Sequence, residues 1–180
     1  ELPWYALDAS WGDYDGDGDP DLYVTGGGFI TGINPLIASL LEIESDTSSR
    51  LFRNNGDGTF TDVTRRSGLD PFYGGLAAPF ADFNNDGHLD LFSTHWNGRL
   101  ESGKWNKPRK SNRLYINTGL GGFKRATDAG LGHAGGTMSA TVGDFDNDGF
   151  LDIYLATGGP RSREADLLYR NNGDGSFSDV

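Results

Sequence analysis

The sequence lacks residue types on which several common kinds of protein chemistry depend. It has no cysteine and only 1 methionine among 180 residues. The missing cysteines exclude disulfide frameworks, thiolate catalysis and cysteine-ligated zinc sites. No apolar run reaches the roughly 18 residues that a membrane-spanning helix requires. We therefore expect no insertion into a membrane.

Positive charge is also scarce. The chain has 15 Lys+Arg residues against 26 Asp+Glu residues, which gives a formal net charge of -11. Proteins that bind nucleic acids usually present a basic surface, and anionic membranes attract basic segments. The charge balance therefore predicts no nucleic-acid partner and disfavours adsorption to an anionic membrane.

Signatures of catalysis are missing as well. The sequence contains neither a P-loop nor a G-x-S-x-G nucleophile motif. Its three histidines, His88, His95 and His133, are scattered along the chain. We therefore predict that the chain is not an enzyme.

Two alternating repeats dominate what is present. The first repeat occupies residues 11–27, 80–96 and 142–159, each with an acidic, glycine-containing stretch. The second follows each copy as RLFRNNGDGTFTDVT, RLYINTGLGGFKRAT or LLYRNNGDGSFSDV. Strict alternation of two motifs indicates a repeat architecture.

Each repeat unit has the pattern of about four short strands. The segments around the first motif are aromatic or β-branched, and the second motif carries the Asn-Gly or Asp-Gly turn of a β-hairpin. Four strands per unit are typical of one β-propeller blade. We predict an all-β fold, in which residues 1–180 form one propeller region with blades at about 1–75, 76–133 and 134–180, the last incomplete. Alternating aromatic residues should form its core: Trp11, Tyr14, Phe80, Phe83, Phe145 and Tyr154.

A closed propeller is built from about 4–8 blades, so three blades are too few to close one. An open set of blades would expose strand edges, which natural proteins avoid. We therefore expect that a longer chain, or neighbouring copies of this chain, complete the propeller.

Two insertions interrupt the repeats. Residues 28–50 include a stretch, Pro35 to Glu44, in which a short helix is predicted. Residues 97–113 carry six basic residues and one Glu, and Trp96 and Trp105 lie beside them. Cations with aromatic rings suit anionic or sugar-bearing ligands. The favoured interpretation is structural: the insertion offsets the acidic body or contacts another subunit.

The first repeat contains the pattern Asp-x-[Asp/Asn]-x-Asp-Gly-x-x-Asp three times. We number each loop from its first Asp. Positions 1, 3, 5 and 9 are oxygen-bearing residues, and position 7 varies. Loop 1 contains Asp13, Asp15, Asp17, Asp19 and Asp21; loop 2 contains Asp82, Asn84, Asp86, His88 and Asp90; loop 3 contains Asp144, Asp146, Asp148, Phe150 and Asp152.

Alternating carboxylates followed by Gly suit calcium, which takes 6–8 oxygen ligands. A variable position 7 suits a backbone carbonyl ligand, supplied by Asp19, His88 and Phe150. EF-hands are excluded because position 12 is Val24, Ser93 or Leu155 where they require Glu. Magnesium is a weaker candidate, and acidic turns without metal remain an alternative. Asn84 replaces a carboxylate, so loop 2 is expected to bind more weakly than loop 3.

The loop pattern, together with the LYRNNGDGTFTDVT-like hairpin, resembles the FG-GAP/VCBS repeats of integrin-α-like β-propellers, in particular their ASPIC/UnbV and cartilage-acidic-protein branch. The resemblance covers nearly the whole chain apart from the insertions. It implies that the loop joins the first two strands of a blade and binds Ca²⁺ through positions 1, 3, 5, 7 and 9, in about three sites. The second hairpin departs from the pattern, because Thr118-Gly119-Leu120-Gly121 replaces its turn.

Three functions follow as expectations. The first is a secreted, extracellular or cell-surface module that recognises protein or carbohydrate ligands in adhesion, with calcium as a structural ion. The second is a structural subunit of a surface assembly or filament, in which neighbouring subunits are the partners. The third is a propeller-fold hydrolase or lyase, for which the sequence offers no catalytic residue. The runs at 54–58 and 171–175 are either further cation sites or plain hairpin turns.

Overall fold

The computed structural model describes residues 6–26, 48–70, 75–95, 99–101, 104–106, 112–132, 136–158 and 165–180. These residues form strands, turns and bends and contain no helix. None of their segments is a helix long and apolar enough to cross a membrane. The helix predicted at Pro35 to Glu44 lies outside the described residues, as does His133.

The strands form three four-stranded antiparallel sheets, which are the predicted propeller blades. Blade 1 contains β1 (Ala6–Gly12), β2 (Asp21–Gly26), β3 (Arg50–Asn54) and β4 (Phe60–Asp62). Blade 2 contains β5 (Phe80–Ala81), β6 (Asp90–Ser93), β9 (Arg113–Asn117) and β10 (Phe123–Ala126). Blade 3 contains β11 (Thr137–Gly143), β12 (Asp152–Thr157), β13 (Leu167–Asn171) and β14 (Phe177–Asp179). The order within each sheet follows the chain, so every blade is a meander.

The basic insertion contributes a separate hairpin between β6 and β9. Its strands are β7 (Arg99–Glu101) and β8 (Lys104–Asn106), which pair antiparallel with Leu100 opposite Trp105. The hairpin is a two-stranded sheet of its own and adds no strand to blade 2. The insertion therefore leaves the four-stranded blade intact.

The second repeat motif forms the outer hairpin of each blade, as its turn residues predict. In blade 1, Asn54 pairs with Phe60 across the turn. Gly56 and Gly58 have φ values of 73° and 84°, a left-handed conformation that glycine adopts without a steric penalty. The Asn-Gly-Asp-Gly sequence thus specifies the turn locally.

The hydrophobic core lies between the blades. One cluster joins Tyr14, Tyr23 and Leu51 of blade 1 to Leu91 and Tyr115 of blade 2. A second cluster joins the opposite face of blade 2 to blade 3, and contains Ala81, Phe83, Phe92, Leu114, Ile153, Leu155, Tyr169 and Phe177. Because strand side chains alternate between faces, blade 2 supplies one set of residues to each neighbour.

The predicted aromatic core is only partly correct. Tyr14 and Phe83 are buried, and Phe80 packs partly buried against the first cluster. Trp11 is 60% exposed, and Phe145 and Tyr154 are exposed as well. The repeat places these three side chains on the face of blade 1 or blade 3 that is turned away from blade 2, where the described chain has no neighbouring blade.

Candidate metal sites

Each Asp loop connects the first two strands of its blade. In blade 1 the ladder ends with Gly12 opposite Asp21, and the loop spans the residues between them. The same register closes loops 2 and 3, with Asp90 and Asp152 opposite the last residues of β5 and β11. Position 9 is therefore the first residue of the second strand in all three blades.

The carboxylate at position 1 organises the loop by accepting backbone N–H groups. Asp13 accepts hydrogen bonds from the N–H groups of Gly16, Asp17 and Gly18 at 2.8–3.1 Å. Asp82 and Asp144 accept the corresponding bonds from positions 5 and 6. The loop wraps around its first side chain, which places several carboxylates on one concave side.

The carboxylate at position 5 accepts the N–H of position 7 at 2.9 Å in every loop. The position 7 side chain then lies over the hairpin turn of its own blade. A Cβ on Gly56 would come within 2.8 Å of Asp19 Oδ2, and a Cβ on Gly119 within 2.9 Å of His88 Nε2. The close approach of the position 7 side chain therefore requires glycine in the hairpin turn, whereas the residue at position 7 itself can vary.

The carboxylate at position 9 is buried and ties the loop to the third strand. Asp90 Oδ2 accepts the N–H of Phe83 at 3.0 Å, and its Oδ1 accepts the N–H of Asn117 at 2.7 Å. Asp21 and Asp152 make the same two bonds in their blades. This Asp therefore has a structural role in addition to any role as a ligand.

Carboxylate oxygens of positions 1, 3 and 9 converge in two of the three loops. In loop 1 one oxygen each of Asp13, Asp15 and Asp21 lies within 4.8 Å of the others, and Asp144, Asp146 and Asp152 form the same group in loop 3. In loop 2 the amide of Asn84 stands at position 3 and donates to Asp86 Oδ2 at 2.9 Å. Asp17 and Asp148 lie outside these groups of three.

One oxygen in loop 1 fits a hard cation directly. Asp15 Oδ1 is buried and accepts no hydrogen bond. Burial, followed by the nearby charge of Asp17, raises the pKa of Asp15. A buried carboxylate oxygen that accepts no hydrogen bond and lies beside two other carboxylates is costly, and a divalent ion with oxygen ligands would reduce that cost. The acidic clusters of loops 1 and 3 are thus able to hold a metal ion.

Burial also perturbs the position 9 carboxylates of loops 1 and 2, Asp21 and Asp90. It raises the pKa of Asp21 to about 6, against the opposing effect of the N–H groups of Asn54 and Tyr14. It raises the pKa of Asp90 to about 6 in the same way. The nearby Tyr14 has its pKa raised to about 12 by burial and by the charges of Asp15 and Asp21. In loops 1 and 2, burial thus disfavours the charged form of the position 9 carboxylate.

Two kinds of residue at these loops escaped the sequence analysis. The first is Arg170, whose side chain bonds to Asp146 and Asp148 of loop 3 at 2.6 and 3.0 Å. The second is the Asn that ends the third strand of each blade: Asn54, Asn117 and Asn171. The sequence did contain a signal for this residue, because the Asn occurs in all three copies of the hairpin motif. The turn residues that follow it, in contrast, change in the second copy.

Comparison with known proteins places these loops in a family context. The FG-GAP-like repeat matches residues 36–93 and 102–155. Human cartilage acidic protein 1 is 33% identical over 124 residues, which cover 67% of this chain and 17% of that protein. The Xenopus tropicalis protein of the same name is 27% identical over 154 residues, covering 82% and 22%. The chain thus spans less than a quarter of the length of these relatives.

Among solved structures, the chain is similar to a lectin of Agrocybe aegerita, described for its specific recognition of non-reducing terminal N-acetylglucosamine. The TM-score is 0.47 with 19% sequence identity, over 95% of this chain and 36% of that one. The sequence matches cover most of the chain and include the whole of loops 2 and 3. On these matches, the chain belongs to the FG-GAP-like repeat family.

Proposed function

We propose that this chain is a calcium-binding β-propeller module of a secreted or cell-surface protein, which recognises protein or carbohydrate ligands in adhesion. The observation that carries the calcium assignment is the convergence of Asp13, Asp15 and Asp21 around the buried, unbonded Asp15 Oδ1. The proposal assigns the chain no catalytic role.

Calcium has a structural role in this proposal. The ligands are Asp13, Asp15, Asp17, Asp21 and the Asp19 carbonyl in loop 1, with the equivalent positions in loops 2 and 3. The ion would neutralise carboxylates that otherwise repel one another. Since position 9 already bonds to the third strand, each occupied loop would tie three strands of its blade together.

The exposure of the loops supports an extracellular setting. Most residues at positions 3 to 7 are exposed, and several ligand oxygens are already engaged by backbone N–H groups. Such sites fit the weak class of calcium modules that work at dissociation constants of about 10⁻⁴–10⁻³ M outside cells. The match to cartilage acidic protein 1 supports the same setting.

Thermal unfolding in EDTA and in excess calcium tests the metal assignment. One site at a hundredfold excess over its Kd contributes about 2.7 kcal/mol, which raises Tm by roughly 5–10 °C in a domain of this size. Asp15→Asn should reduce the calcium-dependent rise, and Asp179→Asn, an exposed Asp outside the loops, should leave it unchanged. Equal Tm values in EDTA and calcium would contradict the proposal, as would an equal rise with magnesium.

The recognition role needs a separate test. The chain can be applied to an array of immobilised glycans, once in calcium and once in EDTA. Calcium-dependent binding to a defined group of glycans is the result expected for carbohydrate recognition. Failure to bind any glycan would restrict the proposal to protein ligands.

A further inference from the structure

The fourth residue of the third strand differs between the blades: it is Arg53 in β3, Ile116 in β9 and Arg170 in β13. Arg170 binds its own Asp loop. Its Nε donates to Asp146 Oδ2 at 2.6 Å, and its Nη2 donates to Asp148 Oδ2 at 3.0 Å. These carboxylates stand at positions 3 and 5, so a cation built into blade 3 already binds two of the residues to which we assign calcium.

Arg53 occupies a different position in blade 1. Its Nη2 donates to Oδ1 of Asn55, in the hairpin turn, at 3.3 Å. Within the described chain, Arg53 Nε is buried and donates no hydrogen bond, and Asp15 Oδ1 is buried and accepts none. In blade 3 the equivalent Nε and position 3 carboxylate, those of Arg170 and Asp146, are bonded to each other. Burial raises the pKa of Asp15 and the charge of Arg53 opposes that rise, so the guanidinium of Arg53 acts on loop 1 without bonding to Asp15.

The hairpin Asn offers the second position in both blades. Asn55 Oδ1 also accepts the hydroxyl of Thr61 at 3.0 Å. Asn172 stands at the same place in blade 3, and its Oδ1 accepts the hydroxyl of Ser178 at 3.2 Å. A carbonyl oxygen has two lone pairs, so each Asn is able to accept a guanidinium in addition to the hydroxyl.

The arginine occurs together with the carboxylate at position 3. Blades 1 and 3 have both, whereas blade 2 has Asn84 at position 3, Ile116 on the strand and Thr118 in place of the hairpin Asn. At positions 1, 3, 5 and 9, loops 1 and 3 have four carboxylates and loop 2 has three. With one arginine added in blades 1 and 3, each loop has a net charge of -3. The additional carboxylate is thus matched by a cation of the same blade.

We propose that Arg53 and Arg170 are built-in counter-ions that exchange with calcium. In the metal-free loop the guanidinium binds the carboxylates at positions 3 and 5, and an ion that enters the loop moves it to the hairpin Asn. This inference rests on the calcium sites of the proposed function. The exchange follows because a guanidinium and a divalent cation repel each other at such short range. Loops 1 and 3 therefore bind calcium more weakly than their four carboxylates alone would.

Nuclear magnetic resonance during a calcium titration tests this exchange loop by loop. The Gly at position 6 donates its N–H to the position 1 carboxylate in every loop, so its signal reports calcium binding by that loop alone. Arg53→Ile copies blade 2 and should raise the calcium affinity of loop 1 about two- to fivefold, the strength of an exposed ion pair that no longer has to break. In EDTA the same variant should have a lower Tm, because the loop carboxylates lose their counter-ion.

Two further variants serve as controls. Arg125→Ile removes the same charge from the exposed outer strand of blade 2, and it should change neither the calcium affinity of loop 1 nor the Tm in EDTA beyond the error of measurement. The double variant Asp15→Asn with Arg53→Ile gives loop 1 the pair of residues found in blade 2. It should bind calcium as loop 2 does.

The Nε–H of Arg170 gives a reading that needs no substitution. Its exchange with water should become faster as calcium fills loop 3 and breaks the bond to Asp146. Slow exchange in saturating calcium would overturn the proposal, as would an Arg53→Ile variant that binds calcium no more tightly than the unaltered chain. In either case the calcium sites of the proposed function would stand. If no loop of the unaltered chain binds calcium, both the exchange and the proposed calcium sites are wrong.

Discussion

The guanidinium of Arg170 bonds to the carboxylate of Asp146, with Nε 2.6 Å from Oδ2. Its Nη2 donates to Asp148 Oδ2 at 3.0 Å, and these bonds raise the pKa of Arg170. Both acidic partners are predicted calcium ligands of loop 3. In blade 2 the equivalent residue is Ile116, which brings no positive charge to loop 2. Loop 3 has four carboxylates and the guanidinium of Arg170, which give a net charge of -3. The three carboxylates of loop 2 give the same net charge.

Substitution of Arg170 is therefore expected to strengthen calcium binding by loop 3. Arg170→Ile copies the residue found in blade 2 and frees two carboxylates, so the calcium affinity of loop 3 should rise severalfold above that of loop 2. Calorimetric calcium titration measures the change. Arg50→Ile is the control, because Arg50 bonds to Asp62 in the blade 1 hairpin, away from the loops. Unchanged or weaker binding by Arg170→Ile would show that the arginine does not compete with the ion.

The Asn at the end of the third strand is expected to contribute to stability through contact between blades. Asn171 donates its amide to the carbonyls of Phe83 and Leu151 and is buried. Asn171→Ala leaves buried carbonyls without donors and should lower the free energy of unfolding by about 1–3 kcal/mol. Urea denaturation measures this loss.

The adjacent Asn172 provides a matched control for that measurement. Its amide also makes two hydrogen bonds, to the hydroxyls of Ser176 and Ser178, but it is exposed. Asn172→Ala should change the free energy of unfolding by no more than about 0.5 kcal/mol. Equal losses for the two variants would argue against a special role of the bond between blades.

Gly68 is expected to be required because the next blade approaches its backbone. A Cβ at this position would lie 2.4 Å from the carbonyl oxygen of Phe123, and φ is +81°. Gly58 has a φ of +84° with no atom near a Cβ. Gly58→Ala should cost about 1–2 kcal/mol for the left-handed conformation alone, and Gly68→Ala about 1–3 kcal/mol more for the clash. Urea denaturation of both variants checks this order, and equal costs would contradict it.

The stability of the metal-free protein should increase as the pH is lowered from 7 to about 5. Burial raises the pKa of Asp21 and of Asp90 to about 6, whereas an unfolded Asp titrates near 3.9. Between these values the folded state binds more protons than the unfolded state. Protonation therefore favours folding, and the benefit is lost as the pH rises through 6.

Urea denaturation in EDTA at pH 5 and pH 7 tests the sign of this effect. In excess calcium the trend should reverse, because protons then compete with the ion for the loop carboxylates. A double variant, Asp21→Asn with Asp90→Asn, should show a smaller change with pH in EDTA. Greater stability of the metal-free protein at pH 7 than at pH 5 would contradict the assignment.

The strands, the blades and the acidic loops could be predicted from the amino-acid sequence. These features are local: the ligand pattern spans nine residues, and the hairpin turn depends on glycines that adopt positive φ. Because the same local pattern occurs three times, it also predicted three equivalent sheets. The FG-GAP-like repeat was identifiable for the same reason.

Which face of each blade is covered could not be predicted from the sequence, because it depends on packing between blades. Alternation along a strand shows that a blade has two apolar faces, but not whether another blade lies against each of them. Tyr14 and Phe145 occupy the same position of the repeat, and only Tyr14 is buried. Tyr14 is buried by residues more than 100 positions away, Asn117 and Phe123, whereas no described blade packs against Phe145. Burial and pairing of this kind arise from long-range packing, which a repeated local pattern does not encode.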